Sequence, residues 1–243
     1  MPNLPTNMAV DVGNSRIKYG LFAGDQLLQT GVLDTYDTHE LQHLAYNHQV
    51  KNIIISSTGA DTSQIRQRLE ADFRTISLDH ITPLPVKVAY ETPETLGKDR
   101  LAAIVGASHL FPEKNCLVLD AGTCITYDLL ADGVYLGGNI APGLHMRLKA
   151  MHEFTARLPD ITPGEMGHSV GKSTETAIRN GAQWGIRFEL EGYLKTWETI
   201  YGSLVVLVTG GDAAFFDKML KREIFVNSHL VLIGLNKILN YNA

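Results

Sequence analysis

Short apolar runs alternate with polar segments along the chain, a pattern typical of strands interleaved with helices. Runs rich in β-branched residues and bounded by turn residues predict strands, whereas apolar residues three or four positions apart predict helices. The predicted strands are Met8–Val12, Ile17–Phe22, Gln26–Leu33, Asn52–Ser56, Thr75–Leu78, Cys116–Asp120, Ile125–Leu130, Val134–Ile140 and Leu204–Thr209, with Val86–Tyr90 extended. The predicted helices are Glu40–Asn47, Ser63–Asp72, Asp99–Leu110, Gly143 to about Met151, Thr174–Ile200, Ala213–Lys221 and His229–Leu239. This succession predicts an α/β or α+β protein.

The opening pattern of the chain returns near its middle. The segment VDVGNSRIKYGLF, which begins at Val10, aligns with LDAGTCITYDLL, which begins at Leu119. In each copy an apolar strand ends in an aspartate, and a glycine turn leads into a second strand. No stretch rich in Ser or Pro separates the copies. We therefore expect two related halves, residues 1–114 and 115–243, that share a tight interface.

The two acidic turns have residue types suited to binding phosphate. Glycine lets the backbone approach a ligand closely, and consecutive amides in a turn bind anions. Asp11 and Asp120 repel phosphate themselves, but each carboxylate can hold a cation against it. A tight hairpin capped by Asp is the alternative for either turn alone, and the occurrence of two related copies favours a phosphate clamp.

A third glycine turn lies late in the chain. The predicted strand Leu204–Thr209 ends in Thr209-Gly210-Gly211-Asp212, which runs directly into a predicted helix. Glycines at such a junction admit a flat or anionic ligand. The alternative is an ordinary helix start that Asp212 caps.

Composition and charge limit the kinds of molecule that we expect the chain to bind. The 243 residues include 21 Lys and Arg against 26 Asp and Glu, and the net charge of -5 disfavours binding to nucleic acid or to an anionic membrane. No apolar run approaches the ~18 residues of a membrane span, and the first residues do not resemble a secretion signal, so we expect a cytoplasmic protein. The two cysteines cannot form a disulfide framework, and we expect Cys124 to be a small buried residue.

Several motifs together resemble a known family. The two acidic hairpins and the late TGGD turn are similar to those of the acetate and sugar kinase/Hsp70/actin superfamily. The segment Tyr90–Arg100, YETPETLGKDR, resembles the YxxPxxxGxDR pattern of type III pantothenate kinases. GGNIAPGL, at Gly137–Leu144, and GKST, at Gly171–Thr174, resemble two further segments of that family. The resemblance implies an α/β, duplicated ribonuclease-H-like (actin-like ATPase) fold, with two similar halves of mixed sheets flanked by helices.

The resemblance also implies a reaction and the residues that perform it. The reaction is the ATP-dependent phosphorylation of pantothenate to 4'-phosphopantothenate, the first step of coenzyme A biosynthesis, with Asp99 as the general base. The implied ATP-binding residues are Asp11, Val12, Gly13, Asn14, Ser15, Arg16, Ile17, Lys18 and Thr123. The implied pantothenate-binding residues are Tyr90, Gly97, Lys98, Asp99, Arg100 and Thr174. Asp120 would hold a monovalent cation, K⁺ or NH₄⁺, and Asp11 is our candidate for Mg²⁺.

The family resemblance implies a homodimer with its site at the subunit interface. Within the predicted helix Thr174–Ile200, Gly181 and Gly185 would permit close packing against a partner helix. We therefore expect a dimer in which this helix takes part.

The chain departs from the family pattern at three positions. Ser15 stands where Thr is usual, Ala121 replaces a common Phe, and Cys124 occupies the place of a small residue. The first change keeps the hydroxyl, and the other two would loosen the nucleotide pocket.

Structural alternatives stay open for the main candidates: Asp99 as a helix cap or a partner of Arg100, Tyr90 as a core residue, and Thr174 as an N-cap. Two other functions stay open as well. One is another small-molecule kinase of the superfamily, and the other is a non-catalytic nucleotide-binding regulatory protein.

Overall fold

The elements follow the predicted succession closely. The computed structural model describes residues 6–13, 16–33, 38–57, 59, 61–217, 219–220 and 222–243. The strands are β1 (Thr6–Val12), β2 (Ile17–Ala23), β3 (Gln26–Leu33), β4 (Val50–Ser57), β5 (Arg74–Ser77), β6 (Lys87–Val88), β7 (Cys116–Ala121), β8 (Cys124–Ala131), β9 (Val134–Pro142), β10 (Val205–Thr209) and β11 (Phe225–Val226). The helices are α1 (Thr38–Asn47), α2 (Ser63–Glu70), α3 (Lys98–Leu110), α4 (Leu144–Glu153), α5 (Thr174–Tyr201), α6 (Ala213–Asp217) and α7 (Leu230–Tyr241), with a 3-10 turn at Pro93–Thr95.

Two mixed sheets repeat one topology. The first has the order β3-β2-β1-β4-β5, and the second has the order β11-β10-β7-β8-β9-β6. In both sheets an antiparallel hairpin, β1–β2 or β7–β8, is joined along its first strand by a parallel strand, β4 or β10. The first five strands thus correspond one by one to β7 through β11, and β6 is an addition at one edge. This repeat confirms the predicted α/β fold with mixed sheets flanked by helices.

The chain divides into two compact units. The first comprises residues 1–113, 133–136 and 229–243, and the second comprises residues 114–132 and 137–228. The C-terminal helix α7 therefore groups with the first unit, because it packs against α3, β1 and β4. The sequence-based division had assigned this helix to the second half. That the halves 1–114 and 115–243 are copies that share an interface stays a prediction.

Helix α3 is buried on nearly every side, which fits its lack of a polar face. It lies unusually close to α7. A Cβ on Gly106 would lie 2.5 Å from Leu230 O, and one on Gly234 would collide with Ala102 O. Since α3 begins at Lys98, this close packing fixes the position of the segment that carries Asp99.

A buried amide network anchors α7 to the first sheet. Asn7 Nδ2 on β1 donates to Asn236 Oδ1 at 3.0 Å and to Asn240 Oδ1 at 2.7 Å. Asn236 Nδ2 in turn donates to Gly24 O, in the β2–β3 turn, at 2.8 Å. Buried amides satisfied in this way fix one orientation of the helix on the sheet.

Most predicted elements are confirmed, and the differences lie at their ends. The helix predicted over Ala213–Lys221 has its described part at Ala213–Asp217, and the two-residue strand β11 had no sequence signal. Of the extended segment Val86–Tyr90, the pair Lys87–Val88 forms strand β6. Among the described residues, no helix combines the length and apolarity needed to cross a bilayer.

Candidate functional site

The first acidic hairpin places Asp11 between two strands of its sheet. Asp11, next to last on β1, is opposite Lys18 of β2 and beside Ser56 of β4. Residues paired in this register project to the same face of a sheet. The turn is closed by a hydrogen bond of 3.0 Å from the Gly13 amide to Arg16 O. Two predicted ATP-binding residues of the turn, Asn14 and Ser15, lie outside the described residues.

The remaining predicted residues of this hairpin differ in exposure. Val12 and Ile17 are fully buried in the core of the first unit. Their backbone groups, and not their side chains, are therefore the atoms available to a ligand. Arg16 and Lys18 have exposed side chains, so two cationic groups flank the turn.

The second acidic hairpin has the same register in the second unit. Asp120 of β7 is opposite Thr126 of β8 and beside Thr209 of β10. The Gly122 amide donates to Cys124 O at 3.0 Å, and Thr123 is exposed at the tip. Cys124 is exposed as well, so the prediction of a buried Cys124 is wrong. Cys124 directly follows the turn, as the first residue of β8, and at this strand end its side chain lies at the surface.

The TGGD turn packs directly against this hairpin. The Asp212 amide donates to Ala121 O at 2.9 Å. Gly210 has φ of +93°, and a Cβ on it would lie 2.5 Å from Asp120 Oδ1. Glycine is therefore required here both by the left-handed backbone and by the close approach. The second acidic turn and the late glycine turn, distant in sequence, form one cluster at the end of β7 and β10.

A cavity of about 420 Å³ opens beside this cluster, within the second unit. Its lining residues are Gly122, Thr123, His145, Met146, Lys149 and Asp212. Three of them come from α4, and sequence reasoning missed them. The four-residue spacing of His145 and Lys149, directly after the helix start at Gly143, was the available signal, since such residues share one helix face.

The predicted substrate motif is assembled at the start of α3, in the first unit. Arg100 is buried, with 5% exposure, and its guanidinium carbon lies 5.8 Å from the centre of the Tyr90 ring. The Tyr90 ring is nearly parallel to that of Tyr135, at 18° and 6.4 Å between centroids. A guanidinium over an aromatic ring is held by a cation–π interaction. The structure thus brings Tyr90 and Arg100 of the motif together, and their binding of pantothenate stays a prediction.

Asp99 occupies the first turn of α3, between Lys98 and Arg100. Its Oδ1 accepts a hydrogen bond of 2.8 Å from the Arg100 amide. Gly97 is the N-cap residue of the helix, and Asp99 lies two residues after it, within the first turn. The amide-rich start of a helix stabilises negative charge. The carboxylate thus supports the helix start, and it is only partly buried, so it can also meet a ligand.

Thr174 lies in the second unit as the first residue of α5. The N-cap of that helix is Ser173, which forms a capping box with Thr176. The alternative of Thr174 as an N-cap is therefore wrong, and its exposed hydroxyl has no capping role. Tyr90, for which a place in the core was the structural alternative, is half-buried and not part of a core.

Comparisons with known proteins decide the family. A family model described as type III pantothenate kinase matches residues 7–196. The chain belongs to the type III pantothenate kinase family. A type III pantothenate kinase of Phocaeicola vulgatus is 44% identical over 97% of this chain and 98% of its own. One of Christiangramia forsetii is 42% identical, again over 97% of this chain and 98% of its own. Membership favours a pantothenate kinase over the other small-molecule kinases of the superfamily.

Solved structures agree with this fold. A Campylobacter jejuni protein described as a Baf family transcriptional activator has a TM-score of 0.62 at 21% identity, over 97% of this chain and 98% of its own. The ROK hexokinase of Thermus thermophilus has a TM-score of 0.54 at 16% identity, over 98% and 99%. At such identities the likeness extends to the fold and not to the ligand.

The oxygen atoms around Asp120 fit a cation. The described residues contain no group of three or more His, Cys, Asp or Glu side chains that could hold a metal ion. The absence of a Cβ on Gly210 lets the backbone at this residue approach Asp120 Oδ1 and Ala121 O closely. A carboxylate and a carbonyl are hard ligands of the kind that K⁺ and Mg²⁺ prefer. Such a site has too few protein ligands alone, and phosphate oxygens of a nucleotide would complete it.

Proposed function

We propose that this chain transfers the γ-phosphoryl group of ATP to the hydroxyl of pantothenate, with Asp99 as the general base. The observation that carries the proposal is the placement of a partly exposed carboxylate next to the buried Arg100, which contacts the half-buried Tyr90, in a member of this family. Asp99 accepts the hydroxyl proton while the new oxygen–phosphorus bond forms and the bond to ADP breaks. Its carboxylate must come within about 2.6–3.2 Å of that hydroxyl, or one water away.

Arg100 is suited to the carboxylate of pantothenate. Its planar guanidinium can donate two parallel hydrogen bonds to a carboxylate, which fixes the orientation of the bound acid. Tyr90 holds the guanidinium from one side. Gly97 and Lys98 form the backbone that leads into this site. Together these residues orient the acceptor hydroxyl, and orientation is a large part of phosphoryl-transfer catalysis.

The two acidic hairpins are the ATP-phosphate sites of the proposal. Residues 11–18 offer the amides of the first turn with the exposed Arg16 and Lys18, and Thr123 offers a hydroxyl from the second. Asp120 would hold a monovalent cation and Asp11 would hold Mg²⁺, in each case against phosphate oxygens. Such cations neutralise the charge that develops on the transferred group.

The dimer of the proposal uses the exposed face of α5. Gly181 has open space beyond its Cα, and Phe188, further along α5, is 58% exposed. A Cβ added to Gly185 would instead lie 3.7 Å from Arg147 Nη1, so this glycine faces its own chain. Light scattering should give the mass of two chains, and Phe188→Ser should lower it. Phe154→Ser, at an exposed phenylalanine that directly follows α4, is the matched control.

The decisive experiment measures ADP formation with ATP, Mg²⁺ and K⁺, with and without pantothenate. Asp99→Asn should lower kcat by about 100-fold or more, the usual contribution of a general base. Glu94→Gln, an exposed carboxylate of the same motif, should retain the wild-type rate. Absence of pantothenate-dependent ADP from the wild type would refute the proposed activity. Equal rates for wild type and Asp99→Asn would refute the role of Asp99 alone.

A further inference from the structure

A bidentate ion pair joins α4 to α5 in the second unit. Arg147 Nη1 donates to Glu189 Oε1 and Nη2 donates to Glu189 Oε2, each at 2.7 Å. The Arg147 side chain is 16% exposed, so solvent competes little for its donors. Two parallel hydrogen bonds fix the plane of the guanidinium as well as its distance. The ion pair therefore fixes the orientation of the Arg147 side chain.

The third donor of the same guanidinium reaches the backbone ahead of α4. Arg147 Nε donates to Pro142 O at 2.7 Å. The next residue, Gly143, donates its amide to Thr123 O at 3.0 Å. A Cβ on Gly143 would lie 2.5 Å from Thr123 O and would collide with Gly122 O. The backbone that Arg147 holds is thus the backbone that supports the second acidic turn.

The Glu189 carboxylate, which pairs with Arg147, has a second partner on β8. The hydroxyl of Tyr127, on β8, donates to Glu189 Oε2 at 3.3 Å. Burial, and then the charge of Glu189, raises the pKa of Tyr127, so its hydroxyl keeps the proton that it donates. Tyr127 follows the turn on the strand that leaves it. Glu189 is therefore held by β8 as well as by α4, and a movement of its carboxylate would break its hydrogen bonds to Tyr127 or Arg147.

We propose that Arg147 is a positioning residue for the ATP-phosphate turn Ala121–Thr123. It acts through Pro142 and Gly143 and touches no substrate itself. The inference rests on the proposed function, which assigns Thr123 to ATP. Lysine cannot replace it, because an ammonium lacks the planar fork that reaches Glu189 with two donors and Pro142 with a third.

The test compares Arg147→Lys with Arg187→Lys. Arg187 is also paired on α5, with Nε 2.8 Å from Glu191 Oε1, but within the described part of the chain it makes no hydrogen bond to the turn, so it serves as the control. Arg147→Lys should raise KM for ATP about tenfold, while KM for pantothenate stays within about twofold. Hydrogen exchange of the Ala121–Cys124 amides should be faster in the free variant than in the wild type. The urea midpoints of the two variants should be alike.

Two outcomes would overturn the inference. One is an unchanged KM for ATP with unchanged exchange in Arg147→Lys. The other is a parallel change of both KM values together with a lowered urea midpoint, as a merely structural role predicts.

Thr123→Ala separates this inference from the function on which it rests. If Thr123→Ala raises KM for ATP and Arg147→Lys does not, the inference fails and the function stands. If the wild type makes no ADP, the exchange measurement still decides whether Arg147 orders the turn.

Discussion

Replacement of Gly210 by alanine tests the cluster of the second acidic turn and the TGGD turn. The φ of +93° at Gly210 is a conformation that a residue with a Cβ adopts only under strain, at a cost of about 1–3 kcal/mol. The added Cβ would also lie 2.5 Å from Asp120 Oδ1 and would overlap Ala121 O. Both the Asp120 carboxylate and the backbone at Ala121 must then shift. We expect Gly210→Ala to lower the free energy of unfolding by at least about 1–3 kcal/mol.

The neighbouring glycine supplies the matched control. A Cβ on Gly211 meets no heavy atom within 4 Å. Gly211→Ala should therefore change the free energy of unfolding by less than about 0.5 kcal/mol. Both variants are measured by urea unfolding and by ADP formation over a range of ATP concentrations. If Asp120 is displaced, KM for ATP should rise at least about tenfold in Gly210→Ala, which corresponds to about 1.4 kcal/mol.

The refuting result is equality of the two alanine variants. Should Gly210→Ala match Gly211→Ala in urea midpoint and in KM for ATP, the turn does not depend on glycine at position 210. A loss of stability with an unchanged KM would separate the two claims, since the strain would be real and Asp120 would have no part in nucleotide binding.

Further expectations follow from single residues. A thiol reagent should modify the exposed Cys124 and not the buried Cys116. ATP should slow this modification, and peptide mass spectrometry would measure its rate. A rate that ATP does not change would place the nucleotide away from this turn. Burial raises the pKa of Cys116 to about 12, so above pH 9 the unfolded chain loses this proton first and stability falls as pH rises towards 12; Cys116→Ala should flatten that decline in urea titrations. Gly234→Ala should destabilise the protein by about 1–3 kcal/mol, whereas Gly192→Ala, with open space around its Cβ, should not.

The elements and both acidic hairpins could be predicted because their signals are local. A glycine turn between two apolar strands specifies a hairpin within a dozen residues, and Asp11 and Asp120 occupy equivalent ladder positions as the repeat implies. The Tyr90–Arg100 pair was predictable for the same reason, since both belong to one short motif.

The features that escaped prediction depend on contacts between distant segments. Arg147 and Glu189 lie 42 positions apart, and no pattern in either helix indicates that they meet. The place of α7 depends on Asn7 and Asn236, which are 229 positions apart. The burial of Cys124 was predicted from its residue type, whereas its exposure depends on its position at the start of β8, next to the turn. Composition and periodicity carry no record of such distances.

The packing of α7 has a consequence for how the protein is made. Chains leave the ribosome from the N-terminus, and domains commonly fold as they emerge. Here the first unit lacks its covering helix until residues 229–243 have been synthesised. The surface against which α3 packs, and with it the environment of Asp99, is therefore complete only after α7 has been synthesised. A chain that ends before α7 would leave this apolar surface exposed to solvent. Quality-control proteases would then recognise the truncated chain before an inactive kinase accumulates.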